Sequence, residues 1–114
     1  MSRVKFPPYF KRRLKALAKR YRSIKKDIQP IIDELEKGNL VGDQIPGLSI
    51  AAFKVRARNS DIPIGKRGGY RLIYKVETLE SLDCIFLVTI YAKSDQTDIS
   101  AKEIEEVAQA IIEE

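Results

Sequence analysis

Phe53-Lys54-Val55-Arg56-Ala57-Arg58 is the stretch that decides how this chain folds. Successive residues of a strand point to opposite faces. The segment therefore sets Lys54, Arg56 and Arg58 on one side and Phe53, Val55 and Ala57 on the other. A second run, Tyr70-Arg71-Leu72-Ile73-Tyr74-Lys75-Val76, brings Arg71 and Lys75 onto one face in the same way. If the two segments pair, one face of a sheet carries a cluster of cations. A phosphate-rich partner is the simplest thing such a cluster serves.

Elements on either side of these strands follow from hydrophobic spacing. Arg3 to Phe6 reads as a short edge strand stopped by Pro7-Pro8. Phe10, Leu14, Leu17 and Tyr21 form one helical stripe between Tyr9 and Arg22. Ser23 is placed to cap a second helix anchored by Ile24, Ile28, Ile31, Ile32 and Leu35. Pro30 either bends that helix or marks a turn before a helix capped by Asp27. Gly38-Asn39 stops it, and residues 38–49 read as loop. Asp83 to Ala92 is almost continuously apolar, as a central strand should be. Ser100-Ala101-Lys102-Glu103 is a capping box for a last helix whose Ile104, Val107, Ala108 and Ile111 face a core. The expected fold is α+β in the order β-α-α-β-β-β-α. A helical hairpin lies on one face of a small antiparallel sheet of three to four strands, and the other face is left open.

Composition limits what this fold can do. A chain of 114 residues is one domain, taken as 1–114, with 44% hydrophobic and 32% charged residues. The start lacks the apolar core of a signal peptide and no run approaches a bilayer span, so cytoplasmic residence without membrane contact is expected. Cys84, the one cysteine, excludes an internal disulfide and reads as a packed, inert thiol. Histidine is absent, which removes the commonest general base and metal ligand; neither metal nor cofactor is expected. Net charge is +5, unevenly spread: residues 1–75 carry 19 Lys/Arg against 6 Asp/Glu, residues 76–114 carry 2 against 10. The first helix alone presents Lys11, Arg12, Lys15 and Lys19 opposite its apolar stripe. That face suits docking onto a phosphate-rich surface or simple solvation. Lys66 and Arg67, in the loop before Tyr70, suit phosphate steering or solubility equally.

Taken together, Phe53-Lys54-Val55-Arg56, Gly69-Tyr70-Arg71-Leu72-Ile73-Tyr74 and Ile90-Tyr91-Ala92-Lys93-Ser94-Asp95 resemble the RelE/ParE superfamily of bacterial toxins. The Lys93-Ser94-Asp95 ending and the basic loop Gly65-Lys66-Arg67-Gly68-Gly69 are most similar to its HigB branch. The resemblance implies the toxin of a type II toxin–antitoxin pair, a ribosome-dependent mRNA endonuclease that arrests translation. Its implied partners are a cognate antitoxin, of helix-turn-helix or acidic type, the ribosome and mRNA, with operator DNA reached only through the antitoxin. Lys54 and Arg56 match the two strand cations set beside the scissile phosphate, and Arg71 matches the arginine that stabilises the transition state. Where RelE has an arginine after the lysine equivalent to Lys93, this chain has Ser94, so Lys93 itself is expected to complete the pocket. The late catalytic tyrosine of RelE falls on Ser100, which serves as a helix cap here. ParE-like members instead inhibit DNA gyrase, and a non-catalytic nucleic-acid-binding module is a further alternative.

The chemistry needs no histidine. In RNA cleavage the 2′-hydroxyl attacks the neighbouring phosphorus, and fixed cations stabilise the added negative charge. Arginine suits this because its planar fork matches two phosphate oxygens. The expected catalytic set is Lys54, Arg56, Arg71 and Lys93. The expected RNA-contacting set is Arg58, Lys66, Arg67, Lys75, Lys11, Arg12, Lys15 and Lys19. An ordinary lysine keeps its proton at neutral pH, so a lysine acting as base would need crowding by like charges.

Overall fold

A computed structural model describes residues 3–62 and 68–113, the side chains of residues 79, 112 and 113 excepted. Its elements are β1 (Arg3–Lys5), α1 (Pro8–Arg20), α2 (Ile24–Glu36), β2 (Asp43–Gln44), β3 (Ala52–Ala57), β4 (Tyr70–Leu79), β5 (Leu82–Ala92) and α3 (Ala101–Glu113). The architecture is α+β. Five strands lie in the order β1-β5-β4-β3-β2, all antiparallel except that β1 runs parallel to β5. The extra strand is β2, a two-residue pairing inside the segment expected to be loop.

Pro7 and Pro8 end β1 and start α1, where the missing proline N–H is one the first helical turn leaves unpaired anyway. Phe10 and Leu17 of α1 are buried, and Tyr21, one residue past the helix, packs edge-on against Tyr70. Helix α2 runs unbroken through Pro30. Of the two alternatives at Pro30, the continuous helix forms and the turn does not: Ile24, Ile28, Ile31, Ile32 and Leu35 are all buried, and holding that row against the sheet outweighs one lost helical hydrogen bond. Ser23 does not cap α2 with its side chain; its N–H donates instead to Asp61 Oδ2 at 2.8 Å. Gly38, at φ 89°, ends the helix with its N–H on the Leu35 carbonyl, and the Asn39 N–H reaches the Glu34 carbonyl.

Two apolar layers result. The helical hairpin packs on one sheet face against Val55, Leu72, Tyr74, Ile85, Leu87 and Ile90. The second face is not open: α3 and the segment before β3 cover part of it, joining Ile104 and Ile111 to Ile73, Val88 and Tyr91. The register between β4 and β5 slips at Ile73/Tyr74, which pair with Thr89 and Leu87 and leave Val88 as the extra residue of a bulge. Glu80 and Ser81, at φ 52° and 66°, close the β4–β5 hairpin. This is the left-handed pair that suits strand twist, supplied here without glycine or asparagine. Cys84 is a free, buried thiol.

Candidate phosphate-binding site

Strand register places the site. Arg56 on β3 lies opposite Arg71 on β4, and Arg71 lies opposite Tyr91 on β5, so the three form one row across three strands. Residues opposite one another share a face, and this one is the side that α3 only partly covers. Lys54, two residues from Arg56, keeps the same face, as does Lys93, two residues beyond Tyr91. The Lys93 N–H donates to the Gly69 carbonyl at 2.9 Å, which carries the β4–β5 pairing past the end of β5.

Lys54, Arg56, Arg71 and Lys93 line one cavity of about 310 Å³, walled on its other side by Asp43 to Pro46. A second depression shares Arg56, Arg71 and Lys93 and extends to Arg58. The four cations expected to work together are therefore side by side, with Arg58 at the margin. Arg71 is positioned rather than loose: its Nη1 donates to the carbonyls of Gly68 and Tyr70, each at 3.2 Å. Glycine is required beneath it. Gly69 sits at φ 77°, and a Cβ there would meet the Ala57 carbonyl oxygen at 2.3 Å.

Lys54 is held by a carboxylate. Its Nζ donates to Asp98 Oδ1 at 2.9 Å, and that oxygen also accepts the Ile99 N–H at 2.8 Å. The hydrogen bond from Lys54, and after it that from Ile99, holds the Asp98 carboxyl below the usual carboxylate range. The Lys54 ammonium thus already has a carboxylate partner at the edge of the cavity. Beside this pair, Tyr91 is 1% exposed and its hydroxyl has no partner among the described residues. Burial pushes its ionisation up, while Lys54 and Arg71 oppose the shift. A neutral phenol beside these cations can donate one hydrogen bond and also accept.

Other expected contacts separate from this group. Lys75 is corrected: it is 1% exposed, lies beneath α3 over the Phe86 ring, and donates to Glu77 at 3.1 Å and to the Ala108 carbonyl at 3.5 Å. It alternates in phase with Arg71, but α3 packs over that end of the sheet, and Lys75 lines neither depression that holds Arg71. Lys11, Arg12, Lys15 and Lys19 are exposed on α1, whose apolar side packs on the opposite sheet face. None of the four lines the cavity. Lys66 and Arg67 lie outside the described residues. Ser100 caps α3, its Oγ accepting the Glu103 N–H at 3.1 Å.

Sequence reasoning missed two carboxylates. Asp43 lines the cavity from β2, opposite Lys54 in the register, and Asp98 holds Lys54 itself. Nothing in the spacing of residues 54 and 98 announces their contact. Among the described residues no group of three or more His, Cys, Asp or Glu could hold a metal ion, and no helix is long and apolar enough to cross a membrane. A scan against protein-family models finds no match, and a search of curated proteins finds none either.

Proposed function

We propose that this chain is the toxin of a type II toxin–antitoxin pair and acts as a ribosome-dependent mRNA endonuclease. One observation carries the reading: Arg56 and Arg71 face each other across β3 and β4, with Lys54 and Lys93 in the same cavity. Four cations around about 310 Å³ suit one backbone phosphate and its neighbours. Folding alone does not favour so many like charges together, so a ligand of opposite charge accounts for them best.

In the proposed reaction the 2′-oxygen bonds to phosphorus as the bond to the 5′-oxygen breaks, leaving a 2′,3′-cyclic phosphate. Arg71, its guanidinium steadied by two carbonyls, and Arg56 take the charge that builds on the non-bridging oxygens. Lys54, which lines the same cavity, serves as a proton donor to the departing 5′-oxygen. The 2′-hydroxyl proton passes to bulk water. Lys93 binds the flanking phosphate. The exposed cations of α1 dock on the ribosome independently of the pocket, through sequence-blind, salt-sensitive contacts.

Induced expression with mapping of mRNA 5′ ends tests this, compared with Arg71→Ala. Growth arrest and new 5′ ends that vanish with Arg71→Ala support the endonuclease. Arrest with intact mRNA and a DNA-damage response would replace it with the gyrase-inhibitor reading. Neither effect, with salt-dependent binding to RNA retained, would leave a binding module.

A further inference from the structure

We infer that Asp98 is a specificity-determining residue: its carboxylate takes the place of a substrate phosphate at Lys54, so lone small anions are refused and only a polynucleotide displaces it. This rests on the reading of the pocket as a phosphate site. The Lys54–Asp98 contact, at 2.9 Å, is the one ion pair among the described residues that engages a cavity cation. The pair is built to open. Asp98 is 67% exposed and Lys54 35% exposed, so each regains water readily when they part, and a pair this exposed stabilises the fold little.

Nor does Asp98 depend on Lys54 for its position. Its Oδ1 keeps the Ile99 N–H, its carbonyl accepts Gln96 Nε2 at 3.1 Å, and two residues on Ser100 anchors α3. The carboxylate therefore stays in place while Lys54 changes partner. With Asp43 also on the wall, the four cavity cations face two carboxylates, and the net charge offered to a single phosphate is halved. A polynucleotide overcomes this because adjacent phosphates engage Arg56, Arg71 and Lys93 at once, converting displacement of Asp98 into an intramolecular event. Inorganic phosphate has no such tether.

Two probes on the intact chain test the inference: inorganic phosphate, and a 2′-O-methyl RNA oligonucleotide that resists cleavage. Binding of each is measured for wild type, Asp98→Asn, Arg71→Ala and Glu36→Gln, the last removing an equal charge from the exposed end of α2. Asp98→Asn should bind phosphate about three- to fivefold more tightly than wild type, on the order expected for one exposed ion pair. The gain on RNA should be smaller, and Glu36→Gln should change neither. Equal gains on both probes, or a gain matched by Glu36→Gln, would overturn the specificity role, as would unchanged phosphate binding in Asp98→Asn. Failure of the pocket reading shows separately, as RNA binding that Arg71→Ala leaves intact.

Discussion

Arg56 and Arg71 stand directly opposite one another on adjacent antiparallel strands, two like charges where a sheet ordinarily places an opposite or neutral pair. Such a pairing works against the fold by roughly 0.2–1 kcal/mol. Arg71 is tied to the Gly68 and Tyr70 carbonyls, whereas Arg56 is exposed and holds no partner among the described residues. Arg56→Thr should therefore raise the melting temperature by roughly 2–4 °C, the shift that about 0.5 kcal/mol produces in a domain of this size. The same variant should weaken RNA binding and flatten its salt dependence. Thermal melts and binding titrations together check this. A drop in stability would show that Arg56 supports the sheet and is not placed there for a ligand.

Lys75 makes the contrasting case. Its ammonium is buried, and Glu77, with 37% of its side chain exposed, is its carboxylate partner. Replacing a buried charge by an apolar group of similar length is often neutral, while removing its partner leaves a charge without compensation. Lys75→Met should change stability by less than about 1 kcal/mol and leave RNA binding untouched. Glu77→Ala should cost more, about 1–3 kcal/mol, because it leaves a buried ammonium without its carboxylate partner. Chemical denaturation of the two variants measures the difference. RNA binding lost in Lys75→Met would return Lys75 to the ligand site.

How far the sequence carried is visible in these same residues. Alternation in β3 and β4 states which side chains share a face, and Lys54, Arg56 and Arg71 do share one. It does not state what covers that face. Ile104, Val107, Ala108 and Ile111 announce an amphipathic helix, yet where that helix lands on the sheet depends on chain packing no local pattern records. Lys75 was misread for this reason. Asp98 was invisible because a contact between positions 54 and 98 exists only once the sheet and the β5–α3 connection are assembled. Glu80-Ser81 carries none of the usual hairpin turn residues, so both flanking strands looked shorter than they are. Pro30 left two alternatives open, and the five buried anchors decide for the continuous helix over the local breaker.

Glycines around the pocket divide into those that need their missing side chain and one that does not. At Gly69 a Cβ would lie 2.3 Å from the Ala57 carbonyl oxygen, and at Gly42 2.5 Å from that of Lys54, both with left-handed φ. Gly47 also has a left-handed φ, of 78°, but its Cβ would meet open space. Gly47→Ala should cost only the conformational term, about 1 kcal/mol. Gly69→Ala adds a backbone collision on the segment that positions Arg71, so it should cost about 3 kcal/mol or more and weaken RNA binding as well. Equal destabilisation of the two variants in denaturant titrations would contradict the close approach of β3 to residue 69.

Alkaline unfolding should be led by buried phenols. Burial pushes the Tyr74 hydroxyl up to about 12, and the same cause raises Tyr70 and Tyr91. An unfolded tyrosine ionises near about pH 10. The folded value is the higher one, so the unfolded chain loses its phenolic protons first as pH rises. Stability from this source is complete below about pH 10 and falls as pH climbs from there toward about 12. The Tyr74 hydroxyl also donates to the Val41 carbonyl, which ties the α2–β2 connection to β4. Tyr74→Phe should therefore cost about 1 kcal/mol at neutral pH through that lost hydrogen bond. It should also melt with a shallower dependence on pH in the alkaline range than wild type. Melting curves at stepped alkaline pH, followed alongside tyrosinate absorbance, measure both effects. A wild-type melting temperature that stays flat across that range would mean that the three hydroxyls reach solvent in the folded chain.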